Sequence, residues 1–206
     1  MTHFSSALNS SLFLAVTALL LVACNPPAPA NNYPKEATFT TSPVSPPLTN
    51  LQTNEQVPLG QQYTYGQSGL SLQPPKDWIK KEISGLDYVA FVSDATNTPS
   101  ASIALFEEAS PSPMDEYIKI NIGAISQAFE QFKEIGRSEF KTNSGIMGVA
   151  IALDSEQLGQ KARQIFYFFS GKDDKKIVFT CSFLTKDSEK LAPLCAASLQ
   201  TLKFGN

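Results

Sequence analysis

Beyond residue 60 the chain alternates apolar and polar positions in short runs, and a helical period replaces the alternation twice. Gln61–Gly66 and Leu70–Gln73 read as short strands around a turn at Gly66–Gly69. Pro74-Pro75-Lys76-Asp77-Trp78 is a rigid break that ends in the only tryptophan. Trp78–Ile83 and Tyr88–Ser93 follow as strands on either side of a turn at Ser84-Gly85, with another turn at Thr96–Pro99. Ser102, Ala104 and Phe106 interleave with Ile103 and Leu105, which makes Ala101–Glu107 a further strand.

The period then changes. Ile118, Ile122, Ile125, Phe129 and Phe132 recur at steps of four and three and form one apolar stripe, so Pro111–Ile135 is predicted as a long helix. Ser110 and Ser112 are its N-cap candidates, Pro111 or Pro113 its first helical residue, and Gly136 its stop. A stripe of this kind faces a core. Three strands follow: Gly136–Thr142, then Ile146–Asp154 after Asn143-Ser144-Gly145, then Lys161–Ser170. The turn Gly171–Lys175 leads into a fourth, Lys176–Leu184. Ile165-Phe166-Tyr167-Phe168-Phe169 is apolar on both faces, as a strand covered on both sides requires. A last helix starts near Asp187 or Ser188 and carries Leu191, Leu194, Cys195, Ser198 and Leu199, and Leu202–Phe204 is placed to close the sheet. The expected fold class is α+β: an α/β/α sandwich with an antiparallel sheet, the mid-chain helix and the C-terminal helix packed on it.

The first 62 residues have no such pattern. Leu12–Ala23 is an apolar run too short to span a bilayer, which takes about 20 residues, and it matches the apolar part of a secretory signal. Leu21-Val22-Ala23-Cys24 resembles the lipobox of bacterial lipoproteins. It implies that residues 1–23 are a signal peptide and that Cys24 becomes a lipidated N-terminus in the membrane. An ordinary signal with Cys24 a bystander is the competing reading. Met1–Ser11 lacks the Lys or Arg usual in such a segment. Residues 24–62 hold eight prolines among Asn, Ser, Thr and Gln, with Lys35, Glu36 and Glu55 the only charges, and read as a flexible tether. Residues 63–206 are then the globular domain. Asn25 after the lipid site favours the outer membrane facing the periplasm.

Composition removes several function classes. The sole histidine is His3, inside the expected signal, so no His-dependent triad or dyad is available downstream, and the commonest zinc and copper ligand is missing. A net charge of −3 gives no basic footprint for nucleic acid. Cys181 and Cys195 remain after Cys24. In an exported chain the default is one disulfide, worth about 3 kcal/mol for a loop of this size, and the competing reading is a pair of buried thiols. The acidic pairs Glu107-Glu108, Asp115-Glu116 and Asp173-Asp174 lack the spacing of a metal loop, and each has a structural explanation: strand end, helix cap and hairpin turn. Lys80-Lys81-Glu82 beside Trp78 reads as a solvated strand face, with a basic contact patch the sharper alternative, and Trp78 itself as core. No catalytic, cofactor or metal residues are assigned.

Gly69-Leu70-Ser71-Leu72 followed by Pro74-Pro75-Lys76-Asp77-Trp78 resembles the opening of the PsbP-like superfamily. So do the small-residue strand Ala101–Leu105, the helix start at Asp115-Glu116-Tyr117, the meander around Ser144-Gly145 and the close from Ser198-Leu199 to Phe204. The resemblance covers about Tyr63–Phe204. It implies an α/β/α sandwich and a non-catalytic accessory or binding role. The partners expected are the membrane, through the N-terminal lipid, and a protein at the membrane surface, without nucleic acid or cofactor. A thylakoid lumen is the location expected if the host is a cyanobacterium. A lipoprotein that binds a small molecule or metal ion is the alternative function.

Overall fold

The computed structural model describes residues 57–66, 69–82, 88–94, 100–157 and 159–205. The expected signal, Cys24, the tether up to residue 56 and the turns at Ser84-Gly85 and Thr96–Pro99 lie outside the described residues. Strands β1 (Tyr63–Tyr65) and β2 (Leu70–Leu72) form a two-stranded sheet. Then come β3 (Ile79–Glu82), β4 (Tyr88–Val92), β5 (Ala101–Ala109), helix α1 (Met114–Ala128), β6 (Glu130–Lys141), β7 (Met147–Gln157), β8 (Gln160–Ser170) and β9 (Lys175–Leu184). A short 3₁₀ turn at Thr185–Asp187 leads into α2 (Ser188–Gln200). The large sheet is antiparallel throughout, in the order β3-β4-β5-β9-β8-β7-β6.

Strand β8 shows why this becomes three layers. Ile165, Tyr167 and Phe169 point to one face and pack with Leu191, Cys195 and Leu199 of α2. Phe166 and Phe168 point to the other and pack with Ile118, Ile122 and Ile125 of α1. A fully buried side chain of this size contributes about 1.5–3 kcal/mol, so a strand buried on both faces is worth roughly twice a half-exposed one. Packing is close enough to dictate residue size. A Cβ on Gly148 of β7 would collide with the ring of Phe169 and the carbonyl of Phe168 on β8.

Helix α1 is shorter than the sequence period predicts. It ends at Ala128, and Phe129 is already extended at φ −121°, ψ 140°. Gln131 takes a positive φ of 49°, and register shifts fall between Glu130 and Lys133 and between Glu134 and Gly136. Phe129, just after the helix, and Phe132, in the irregular start of β6, both pack against the α1-side core, so the apolar spacing outlasts the helix. Gly136 is therefore buried inside β6 and is no helix stop. Neither serine caps α1. Its N-cap is Pro113, which makes no side-chain capping bond, and Asp115 and Glu116 supply negative charge to the first turn. Ser110 is used instead as a splice to the β8–β9 hairpin: its N–H donates to the Asp174 carbonyl and its own carbonyl accepts from Lys176 Nζ.

The C-terminal residues close the small sheet rather than the large one. Lys203 pairs with Ser71 through reciprocal backbone bonds of 2.9 and 3.0 Å. The Ser198 hydroxyl donates to the Gln73 carbonyl, and the Gln73 N–H donates to Thr201 Oγ1. The start and the end of the domain are thus fastened to each other. Chain entry is fixed earlier than Tyr63: the Gly60 N–H donates to the Pro74 carbonyl at 2.7 Å, and the Lys76 N–H to the Pro58 carbonyl at 3.0 Å.

Candidate functional site

These two backbone pairings set side by side two stretches that are distant in sequence. Residues Leu59–Tyr63 and Pro74–Trp78, with Phe91 of β4, line an open groove of about 650 Å³. Its framework is stiff for its size. Pro74 and Pro75 have fixed φ and are buried, and the turn that follows closes with the Trp78 N–H donating to the Pro75 carbonyl. Asp77 takes φ 66° there, a position that glycine occupies most easily and Asp tolerates.

The lining is aromatic and neutral overall. Tyr63 meets Phe91 edge-to-face with ring centroids 5.4 Å apart. Trp78 is half-buried against the α2-side core and presents its remainder on the groove wall. Gln61 and Gln62 are exposed amides, and Lys76 and Asp77 balance each other at the rim. Lys80 Nζ stands 4.5 Å from the centre of the Tyr63 ring and 2.5 Å from the Glu82 carboxylate. The Glu82 hydrogen bond, then one with Tyr63, hold its ammonium above the usual lysine pKa, so the charge over Tyr63 persists at any working pH. Such a lining suits a ligand with flat or ring-bearing apolar groups and backbone carbonyls. It offers no nucleophile paired with a base.

Trp78 keeps part of the core role expected for it, half-buried against the α2-side core, and its remaining surface lines the groove. Lys80 and Glu82 lie on an exposed strand face, as expected, and the Lys80 ammonium also stands over the Tyr63 ring of the groove wall. Ile79, at 42% exposure on the edge strand β3, pairs with Val92 next to the Lys80–Phe91 pair, so its side chain points to the face opposite the groove.

The other sequence candidates lie elsewhere, and the structure does not bring them to the groove. Glu107 pairs with Lys175 across β5–β9, and Glu108 accepts a hydrogen bond from Tyr117. Burial first, and that carboxylate second, push the Tyr117 hydroxyl far above an ordinary phenol pKa. Asp115 and Glu116 are exposed in the first turn of α1, and Asp173 and Asp174 sit in the hairpin turn with φ near 55°. No group of three His, Cys, Asp or Glu able to hold a metal occurs among the described residues. Cys181 on β9 and Cys195 on α2 are neighbours, held as two thiols rather than as the expected bridge. Both are buried, and burial, then the hydrogen bond to Cys195, raise the Cys181 thiol well above its usual pKa. No helix among the described residues is long and apolar enough to cross a membrane.

No protein-family model matches the chain, and no curated protein matches it in sequence. Solved structures do match. The cyanobacterial PsbP (CyanoP) of Synechocystis sp. PCC 6803 superposes with a TM-score of 0.52 at 13% identity, over 74% of this chain and 95% of that one. LpqN of Mycobacterium tuberculosis, involved in cell envelope biogenesis, superposes with a TM-score of 0.50 at 13% identity, over 71% and 86%. PA94 of Pseudomonas aeruginosa, a putative regulator of unknown function, is similar over 70% and 97% at 17% identity, with a TM-score of 0.49. Identities this low speak to fold alone. A seven-stranded antiparallel sheet with a mid-chain helix on one face and a C-terminal helix on the other, superposing on nearly the whole of CyanoP, gives this chain the PsbP-like fold.

Proposed function

We propose that this protein is a non-catalytic accessory lipoprotein of the cell envelope. It is exported, anchored through lipidated Cys24, and presents its PsbP-like domain to a membrane-associated protein. The anchor leaves the domain in the periplasm at the outer membrane, or in the thylakoid lumen in a cyanobacterial host. The observation that carries the reading is the aromatic groove, placed where the chain from the membrane enters the domain. A tether that reaches from a membrane and a contact surface at its point of attachment suit recruitment of a neighbour at the same membrane. The involvement of LpqN in cell envelope biogenesis and the PsbP identity of CyanoP agree with it. In this reading Cys181 and Cys195 become bridged on export, stapling α2 to β9.

The test is photocrosslinking in the native host. A benzoylphenylalanine at Gln62, on the groove wall, is expected to trap one discrete protein. The same group at Ser126, exposed on α1, is expected to trap none. Identical or absent products at both positions would remove the groove from this role.

A further inference from the structure

Cys181 and Cys195 are buried nucleophiles that take no part in the groove, yet one of them sits on the element that holds it. Cys181 lies within β9 and Cys195 within α2, hydrogen-bonded to each other, and each is 0% exposed. The far end of α2 reaches the groove wall. Ser198 Oγ donates to the Gln73 carbonyl at 2.6 Å, and the Gln73 N–H donates to Thr201 Oγ1 at 2.7 Å. Gln73 is the residue before Pro74, where the wall Pro74–Trp78 begins. Leu199 of α2 belongs to the same core that Trp78 packs against. Just beyond the helix, Leu202 is buried and Lys203 exchanges backbone bonds with Ser71. Lifting α2 from the sheet would take away these two hydrogen bonds of Gln73 and part of the support of the indole.

Helix α2 is poorly equipped to stand alone. Pro193 lies in its interior and removes the bond that an N–H there would make to the Glu189 carbonyl, and Asp187 at the N-cap makes no side-chain capping bond. A 13-residue helix of this kind is marginal by itself and holds through its packing on the sheet. Such an element opens locally more often than the sheet beneath it. Thiol–disulfide exchange needs that opening. The attacking sulfur must approach in line and pass through a mixed disulfide, for which a fully buried pair leaves no room. Burial also raises the Cys181 thiol well above its usual pKa, so little thiolate exists while α2 is docked.

We propose that Cys181–Cys195 is a redox lock on the groove. As two thiols, the pair lets α2 open, and the Gln73–Trp78 wall loses its anchor with it. As a bridge, the pair pins α2 to β9 and the wall is held. Closing the lock joins the two sulfurs and passes two electrons and two protons to an exchangeable disulfide, which leaves as two thiols. A dithiol reverses the step. The lock rests on the proposed function and adds its regulation: the contact surface is completed in an oxidising compartment, after export and not before.

The test is hydrogen exchange read by mass spectrometry on the full-length chain carrying Cys24→Ser, which leaves only this pair of thiols. One sample is folded with oxidised glutathione and the other with dithiothreitol, and the loss of two hydrogens across the linked peptides confirms the bridge in the first. Peptides covering Ser188–Gln200 and Gln73–Trp78 are expected to exchange together, about tenfold faster in the thiol form. Peptides from Met147–Gln157 and Gln160–Ser170 are expected to exchange equally in both. Equal acceleration of every peptide would overturn the proposal, since the bridge would then act on the whole fold. So would faster exchange in α2 with Gln73–Trp78 unchanged, or a bridge that never forms. The Gln62 crosslink, repeated in the native host with Cys195→Ala, separates the lock from the reading beneath it. A crosslink equal with and without Cys195 would keep the partner and overturn the lock. Exchange as expected, with no crosslink even in the unaltered domain, would support the pinned wall and remove the partner.

Discussion

Two regions of this domain use aromatic side chains for opposite ends. In the middle of the sheet, Phe166, Phe168, Phe169 and Phe179 are all under 2% exposed and are pressed between helices. At the chain-entry corner, Tyr63 and Trp78 are only partly covered, on a framework of three-residue strands and a proline turn. The central region has neighbours on every side, so its rings can only stabilise. The corner is fastened by backbone bonds at Gly60, Lys76, Ser71 and Lys203, and its geometry does not depend on covering its rings. Stability and contact surface are thereby separable: the corner keeps apolar area in reserve because the sheet supplies the folding energy.

The largest effect that would sharpen this contrast is at the centre. Phe168→Ala removes a ring that is 0% exposed and meets Tyr117 edge-to-face, and should destabilise the domain by about 3–5 kcal/mol, read by urea denaturation. A loss below about 1 kcal/mol would mean that the sheet interior is not what holds the fold.

A smaller effect concerns pH. Burial pushes the Tyr88 hydroxyl up to about 12 from an ordinary value of 10. A group whose pKa is higher folded than unfolded adds stability that is complete below pH 10 and is lost as pH rises toward 12. Tyr167, on the opposite face, is also raised well above the ordinary value by burial. Thermal stability should therefore be flat with respect to these groups up to pH 10 and fall steeply above it. Tyr88→Phe should make that fall shallower. A variant with the same alkaline slope would show that the phenol is solvated.

How much of this could be read beforehand differs by region for physical reasons. The β7–β9 meander was legible because Ile165–Phe169 leaves no polar position for a solvent face, and because Gly171–Lys175 carries the turn residues between two apolar runs. The end of α1 was not. Phe129, the residue after α1, and Phe132, in the bulged start of β6, keep a helical spacing although the helix has ended, since a bulge can place side chains on one face much as a helix turn does. The groove was legible only as parts. Pro-Pro, Trp78 and the entry segment are visible in sequence, but their meeting depends on the Gly60–Pro74 and Lys76–Pro58 pairings, which no local pattern announces. The small sheet was read correctly as two strands, yet its third member, Lys203, comes from the far end of the chain.

The separation of fold from contact surface is tested most directly by Trp78→Ala, followed in one experiment for melting and for capture of the protein crosslinked from Gln62. Trp78 is only half-buried, so the account predicts a stability loss of about 1–2 kcal/mol, well below that of Phe168→Ala, together with loss of capture. Capture that survives the substitution, or a stability loss as large as at Phe168, would contradict it.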